Sequence, residues 1–184
     1  MRIIAGKWKS KRLLSPKTDK TRPTLDRVKE AVFSMISQDI SESKVLDLFS
    51  GTGNLAIEAL SRGAEFCYIN DIDNTALKTI YSNIKLTNYE KYVKISKKEY
   101  EKCIRGLENE NTSIDIIFLD PPFGAKYEIK CLELLSKSSI INSNTKIILE
   151  TDKETLFDEN IAGLELYAKK IYGRIMIRIY MKGD

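Results

Sequence analysis

Histidine is absent from the 184 residues. That omission excludes a Ser-His-Asp or Cys-His nucleophile, an HExxH zinc site and any histidine proton shuttle. Cysteine is scarce and odd in number. Cys67, Cys103 and Cys131 include no CxxC pair, so neither a disulfide framework nor a cysteine-held metal is expected, and all three read as small buried apolar residues. No apolar run approaches the roughly 20 residues that span a bilayer, and even Ile114 to Leu119 is interrupted by Asp115. The opening MRIIAGKWKS places charges where a secretory leader needs a continuous apolar segment, so a cytoplasmic protein without a membrane partner is expected.

What is present is a globular balance, 42% apolar and 30% charged. It fits one domain over residues 1–184 with a sizeable core, and a monomer is the expected state. The net charge of +4 is unevenly placed. Residues 1–24 hold eight Lys and Arg against the single acid Asp19, so they carry +7 and the rest of the chain carries −3. A basic stretch with Trp8 set among Lys7, Lys9 and Lys11, followed by Arg12 and Arg22, has the composition of a phosphate-binding arm with one aromatic anchor; Trp8 equally suits packing the arm onto the domain.

From Lys44 onward short β-rich runs alternate with amphipathic stretches, the pattern of βα units that build a parallel sheet. Strands are expected at 44–49, 65–70, 91–95, 114–119 and 145–150, with helices at 54–62, 73–86, 97–106 and 128–137 between them. The tail, ELYAKKIYGRIMIRIYMK, reads as two further strands turning at Tyr172 and Gly173, an antiparallel hairpin at the sheet edge. Before the sheet, a helix over 24–38 places Leu25, Val28, Val32 and Ile36 on one face, with Thr24 as its N-cap and Asp26 in its first turn. Residues 1–23 are then an arm, with a glycine turn at Gly6 between two short strands and no core of its own.

The first strand leads into DLFSGTGNLAIEAL, with Asp47 on the strand, Gly51 and Gly53 in the turn and Ala56 at the third small position. Glycines at a strand-to-helix junction let a ligand approach the backbone and meet helix N–H groups. Asp71 ends the second strand, where an acid accepts from ribose hydroxyls, and Asp73 reads as the cap of the helix that follows. These features alone allow either NAD or S-adenosylmethionine. The sequence Asp120-Pro121-Pro122-Phe123 after the fourth strand decides between them. In an open α/β sheet, ligands bind outside the carboxyl ends of the strands at the switch point, so this tetrapeptide faces the glycine turn. Two prolines fix the backbone and leave carbonyl acceptors, Asp120 adds a carboxylate and Phe123 an aromatic face. That set suits a planar base with an exocyclic amine. Such an amine is a poor nucleophile, because its lone pair is conjugated with the ring. Acceptors on Asp120 and the Pro121 carbonyl hold its N–H bonds and aim the lone pair at a sulfonium methyl. The proton becomes acidic only after transfer, so no histidine base is needed.

DLFSGTG, Asp71 and DPPF together resemble class I S-adenosylmethionine-dependent methyltransferases of the exocyclic-amine type. RIIAGKWKSKRL followed by TRPTLDRVKEAVF is similar to the RsmD-type family, bacterial methyltransferases that modify a guanine 2-amino group of small-subunit (16S) ribosomal RNA, and the match runs essentially from Arg2 to the terminal hairpin. The resemblance implies a Rossmann-like α/β fold: a seven-stranded mostly parallel sheet with helices on both faces, the terminal hairpin and a basic N-terminal β-hairpin arm. It implies that Asp47, Gly51, Gly53 and Asn54 surround the methionine part of S-adenosylmethionine and that Asp71 holds its ribose. Asp120, Pro121 and Phe123 would hold guanine, and no metal takes part. The partner implied is 16S ribosomal RNA within an assembling small subunit. Two positions depart from the family pattern: Lys29 stands before Glu30 where arginine is usual, and ISKKEYEK replaces the acid or amide that contacts adenine. The tetrapeptide is shared with adenine, cytosine and glutamine methyltransferases, so a DNA adenine or cytosine methyltransferase is the competing reading. An NAD-dependent oxidoreductase would use the glycines and Asp71 but gives DPPF and the arm no task.

Overall fold

The computed structural model describes residues 1–15, 26–121, 127–155 and 160–183. Strands β1 (Lys44–Asp47) and β4 (Ile116–Leu119) lie side by side and parallel at the centre of the sheet. Their unbroken apolar sequence, VL and IIFL, is what a strand covered on both faces requires. Flanking them are β2 (Phe66–Asn70) with β3 (Val93–Ser96) on one side, and on the other β5 (Lys146–Asp152), β8 (Ile175–Lys182), β7 (Leu164–Tyr172) and β6 (Asn160–Ile161). The order is β3-β2-β1-β4-β5-β8-β7-β6, so the winding reverses between β1 and β4. Helices α1 (Asp26–Met35), α2 (Asn54–Ser61) and α3 (Asn74–Thr87) pack one face of the sheet, and α4 (Tyr100–Asn109) and α5 (Tyr127–Ser136) the other.

The α/β architecture agrees with the sequence reading, with local differences. The sheet has eight strands rather than seven, because Ala162 and Gly163, both left-handed, make a two-residue turn between β6 and β7. A two-residue strand is too short for periodicity to reveal. β8, the last strand, is inserted between β5 and β7, which leaves β7 as the outer arm of the expected antiparallel hairpin. Helix α4 begins at Tyr100 instead of 97, since the Asn70 side chain donates to the Lys98 carbonyl (2.9 Å) and accepts from its N–H (3.2 Å), holding 97–99 out of the helix. Asp73 caps α3 as expected, its Oδ1 accepting from Thr75 and Ala76 N–H. The Thr24 cap lies outside the described residues, while Val28, Val32 and Ile36 are buried. All three cysteines are free and buried. Among the described residues no helix is long and apolar enough to cross a membrane.

The arm closes as an antiparallel bridge, Arg2 opposite Arg12, with Ile3 and Lys11 bonded through their backbones. Its turn spans more residues than the expected tight turn at Gly6. Ile3 and Leu13 are buried in the main core, and the turn grips the carboxyl end of α2. Lys7 N–H donates to the Ser61 carbonyl (2.8 Å), and Trp8 N–H to the Ser61 hydroxyl (3.0 Å), supplying partners that a helix end lacks internally. Gly6 is required here. It is left-handed at φ +81, and a Cβ would lie 1.7 Å from the Ser61 carbonyl oxygen.

Beneath the arm Lys29 and Glu58 form a fully buried ion pair at 3.0 Å. The Lys29 ammonium also donates to the Arg2 carbonyl (2.5 Å) and Asn54 Oδ1 (2.7 Å), which uses its three donors. Glu58 accepts from the N–H groups of Ile4 and Ala5 and from Arg62 Nε. Burial draws the Lys29 pKa below its ordinary value, against the opposing pull of Glu58. Removing one member of such a pair strands the other charge, so Lys29→Met is expected to lose about 3 to 5 kcal/mol of stability. Urea unfolding at constant m-value measures this, and a loss below about 1 kcal/mol would contradict it.

Candidate active site at the carboxyl ends of β1, β2 and β4

β1 delivers Asp47 to the sheet's carboxyl edge, and the turn Ser50 to Gly53 then reverses the chain into α2. Gly51 and Gly53 are both left-handed, at φ 58 and 77, a conformation open to glycine without strain. Asp47 Oδ2 accepts from Ser50 Oγ (2.9 Å) and Ala56 N–H (3.2 Å), so the strand carboxylate braces the turn and the first turn of α2. Asp71 reaches the same turn from the end of β2. Its Oδ2 accepts from Gly51 N–H (2.7 Å) and its Oδ1 from Asp73 N–H (2.8 Å). On the other side Leu48 N–H bonds the Phe118 carbonyl, which brings Asp120, two residues beyond, to the same edge. Asp120 is half-buried and Pro121 buried.

The site therefore collects three carboxylates from three strand ends. Burial pushes the Asp47 carboxyl up to about 7; the Ser50 and Ala56 donors oppose this, and the charges of Asp120 and Asp71 add to it. Such a cluster favours a cation. Asn54, at the start of α2, is buried, with Oδ1 held by Lys29 and Nδ2 without a partner among the described residues. A buried amide donor calls for an acceptor, and beside a helix N-terminus a ligand carboxylate fits. Acids for a sulfonium and an ammonium, a donor for a carboxylate and Asp71 for ribose hydroxyls match the donor set of S-adenosylmethionine. Ile72, 53% exposed, adds apolar surface next to Asp71.

The structure thus brings together Asp47, Gly51, Gly53, Asn54, Asp71, Asp120 and Pro121. Phe123 and Arg22 lie outside the described residues. The arm's Lys7, Lys9 and Lys11 stand elsewhere, around the carboxyl end of α2, about 10 Å along that helix from Asn54. Arg12 is exposed on the returning strand of the arm. Trp8 is half-buried against the core, with Lys11 Nζ 5.5 Å from its ring centroid, so its ring fastens the arm to the domain. Sequence reasoning did not find the aromatic cluster of Phe49, Tyr100 and Tyr127, whose centroids are 5.8 to 6.4 Å apart. Three rings from distant segments leave no local pattern. It noted Lys29 only as a departure from the family pattern, without its buried partner Glu58, and it missed Asn83; both are polar residues on helix faces whose role shows only when packed.

The raised Asp47 pKa makes stability depend on pH. Between the ordinary carboxyl value of 3.8 and about 7 the folded state binds more protons than the unfolded one. Stability therefore falls as pH rises through that window, by an upper limit of roughly 4 kcal/mol. Asp47→Asn keeps an acceptor for Ser50 and Ala56 and should flatten this slope, becoming more stable than the parent at pH 8 and less favoured at pH 4.5. Parallel urea titrations at the two pH values check it, and identical slopes would refute the assignment.

Residues 1–181 match the family described as conserved hypothetical protein 95. The chain is 35% identical to the YlbH protein of Bacillus subtilis over 99% of both chains. It is 30% identical to ribosomal RNA small subunit methyltransferase D of Haemophilus influenzae over 91% of each. Among solved structures, the yhhF protein of Escherichia coli superposes with a TM-score of 0.85 at 25% identity, covering 100% of this chain and 98% of that one. A conserved hypothetical protein of Streptococcus pyogenes superposes with a TM-score of 0.77 at 34% identity, covering 84% and 95%. With the glycine turn, the strand-end acids and Asp120-Pro121 gathered at one edge of a doubly wound sheet, and with the similarity extending over the arm as well, the chain belongs to the conserved hypothetical protein 95 family, the RsmD-type methyltransferases.

Proposed function

We propose that this protein methylates the exocyclic 2-amino group of a guanine in small-subunit (16S) ribosomal RNA, presented within an assembling subunit, with S-adenosylmethionine as donor. The observation that carries the reading is the convergence of Asp120-Pro121 with the glycine turn and its acids at the β1/β4 switch point. When bound, S-adenosylmethionine supplies an electrophilic methyl. Asp47, Asn54 and the turn 51–53 hold its amino-acid part, and Asp71 its ribose. Asp120 and the Pro121 carbonyl accept the amine N–H bonds and orient the lone pair. Phe123 stacks on a base withdrawn from its helix, and Asp120 or water takes the proton after transfer. The reading is supported by relatives named for small-subunit rRNA methylation. Its finer part, guanine N2, rests on the family resemblance.

The test is transfer of labelled methyl from S-adenosylmethionine to small ribosomal subunits lacking native modification, followed by nucleoside analysis. N2-methylguanosine is expected. Modified adenine or cytosine in duplex DNA, or no transfer to subunits or free rRNA despite cofactor binding, would overturn it. Asp120→Ala should lower turnover about 100- to 1,000-fold, the usual loss for a group acting in the transition state, with a smaller loss of cofactor affinity. Neutralising Lys7, Lys9, Lys11 and Arg12 together should weaken RNA binding and reduce its salt slope by about 1 for each phosphate left without its cation. An unchanged slope, read by filter binding at several salt concentrations, would remove the arm from the interface.

A further inference from the structure

Asn83 stands on α3, outside both the arm and the glycine turn, yet bonds both. Its Nδ2 donates to the Thr52 carbonyl (2.9 Å) and the Leu14 carbonyl (3.1 Å), and its Oδ1 accepts from Leu14 N–H (2.8 Å). The side chain is fully buried, and both amide hydrogens are in use. Thr52 lies between two left-handed glycines, about which the turn can reorient. Asp47 and Asp71 restrain its first residues, Ser50 and Gly51, and Asn83 adds the restraint at Thr52. Helix α3 can provide it, being capped by Asp73 and anchored in the core through Ile80 and Ile84.

On the arm side, Leu13 is buried in the main core while the Leu14 side chain is 54% exposed, so Leu14 itself is held to the domain by its two backbone bonds to Asn83. The arm meets the turn at two more points: Lys29 joins the Arg2 carbonyl to Asn54, and Thr52 Oγ1 donates to the Met1 sulfur at 3.5 Å. Residues 52–54 are thus tied to the arm's first strand and to its end.

We propose that Asn83 is a positioning residue that couples docking of the amino-terminal arm to the cofactor-competent form of the glycine turn, so that each favours the other. The proposal rests on the reading of that turn as the S-adenosylmethionine site. Linkage makes the effect reciprocal: whatever factor a docked arm adds to cofactor affinity, bound cofactor adds to arm docking. An enzyme built this way holds its methyl donor best when the arm is seated.

Hydrogen exchange of the arm amides that bond the domain, Ile4, Ala5 and Lys7, tests the coupling, with S-adenosylhomocysteine as the bound probe and calorimetry as the independent measure of binding. Amides of the β7/β8 ladder correct for global unfolding. In the parent, saturating probe should slow arm exchange about tenfold relative to the ladder, within the usual range of coupling factors. Asn83→Asp keeps an acceptor for Leu14 N–H and loses both donors. It should bind the probe more weakly and show no arm protection at saturation. A residue with a purely structural role would lower affinity and stability yet leave the protection ratio intact.

Should that variant fold poorly, Leu14→Pro removes the arm's donor and sets its ring carbon against Asn83 Oδ1 while leaving α3 and the turn unsubstituted, and should reduce the ratio in the same way. In the reverse direction, Gly6→Ala should unseat the arm at the far end of α2 and weaken probe binding by a similar factor. Parental arm exchange unaffected by bound probe, full protection in Asn83→Asp, or unchanged affinity in a Gly6→Ala protein whose arm exchanges freely would each overturn the proposal. Absence of probe binding to the parent would instead overturn the cofactor reading and remove the basis for the coupling.

Discussion

The Glu58 carboxylate is the constraint on which the amino-terminal half of the molecule is assembled. It is fully buried inside α2 and finds partners from three directions: Lys29 on α1, the Ile4 and Ala5 amides of the arm, and Arg62 one turn further along. A buried ion pair is a weak source of net stability, since desolvation consumes much of the Coulomb gain. What it specifies is arrangement. A carboxylate in an apolar setting is tolerable only with every partner in place, so α1, α2 and the arm have one low-energy way to pack. The same lysine bonds Asn54, the first residue after the glycine turn, which carries this constraint to the edge of the site.

The site itself follows from the sheet. Reversal of strand order between β1 and β4 opens a crevice at their carboxyl ends; β1 ends on Asp47, and the residues just beyond β2 and β4 are Asp71 and Asp120. Gathering Asp47, Asp71 and Asp120 there costs folding energy, most plainly at Asp47, which burial and its neighbours hold partly protonated near neutral pH. A cationic ligand relieves that cost. The acids are thus a stored electrostatic preference for a cationic ligand, set in place before it arrives.

The fold was largely legible from periodicity, because central parallel strands need continuous apolar runs and covering helices need one apolar face. The glycine turn, Asp71 and Asp120-Pro121 were legible because their spacing relative to strand ends is local. Less legible were features decided at a distance. The start of α4 moved to Tyr100 because Asn70, on another strand, holds Lys98 extended. Trp8 among lysines suits either an aromatic anchor for phosphate or a plug between arm and domain, and the Ser61 contacts of the arm turn decide for the second by placing its ring against the core.

By itself, then, the sequence determined the alternation of elements, the position of the glycine turn, the acids at the strand ends and the concentration of positive charge in one arm. Each of these is a property of neighbours in the chain. Tertiary structure alone decided where the arm lies, that Lys29 and Glu58 neutralise each other in the interior, and that Asn83 stands between Leu14 and Thr52. Those interactions join residues 29 to 69 positions apart. Hydrogen bonds of that span depend on the packed geometry of three elements at once, which the local pattern of any one of them does not encode.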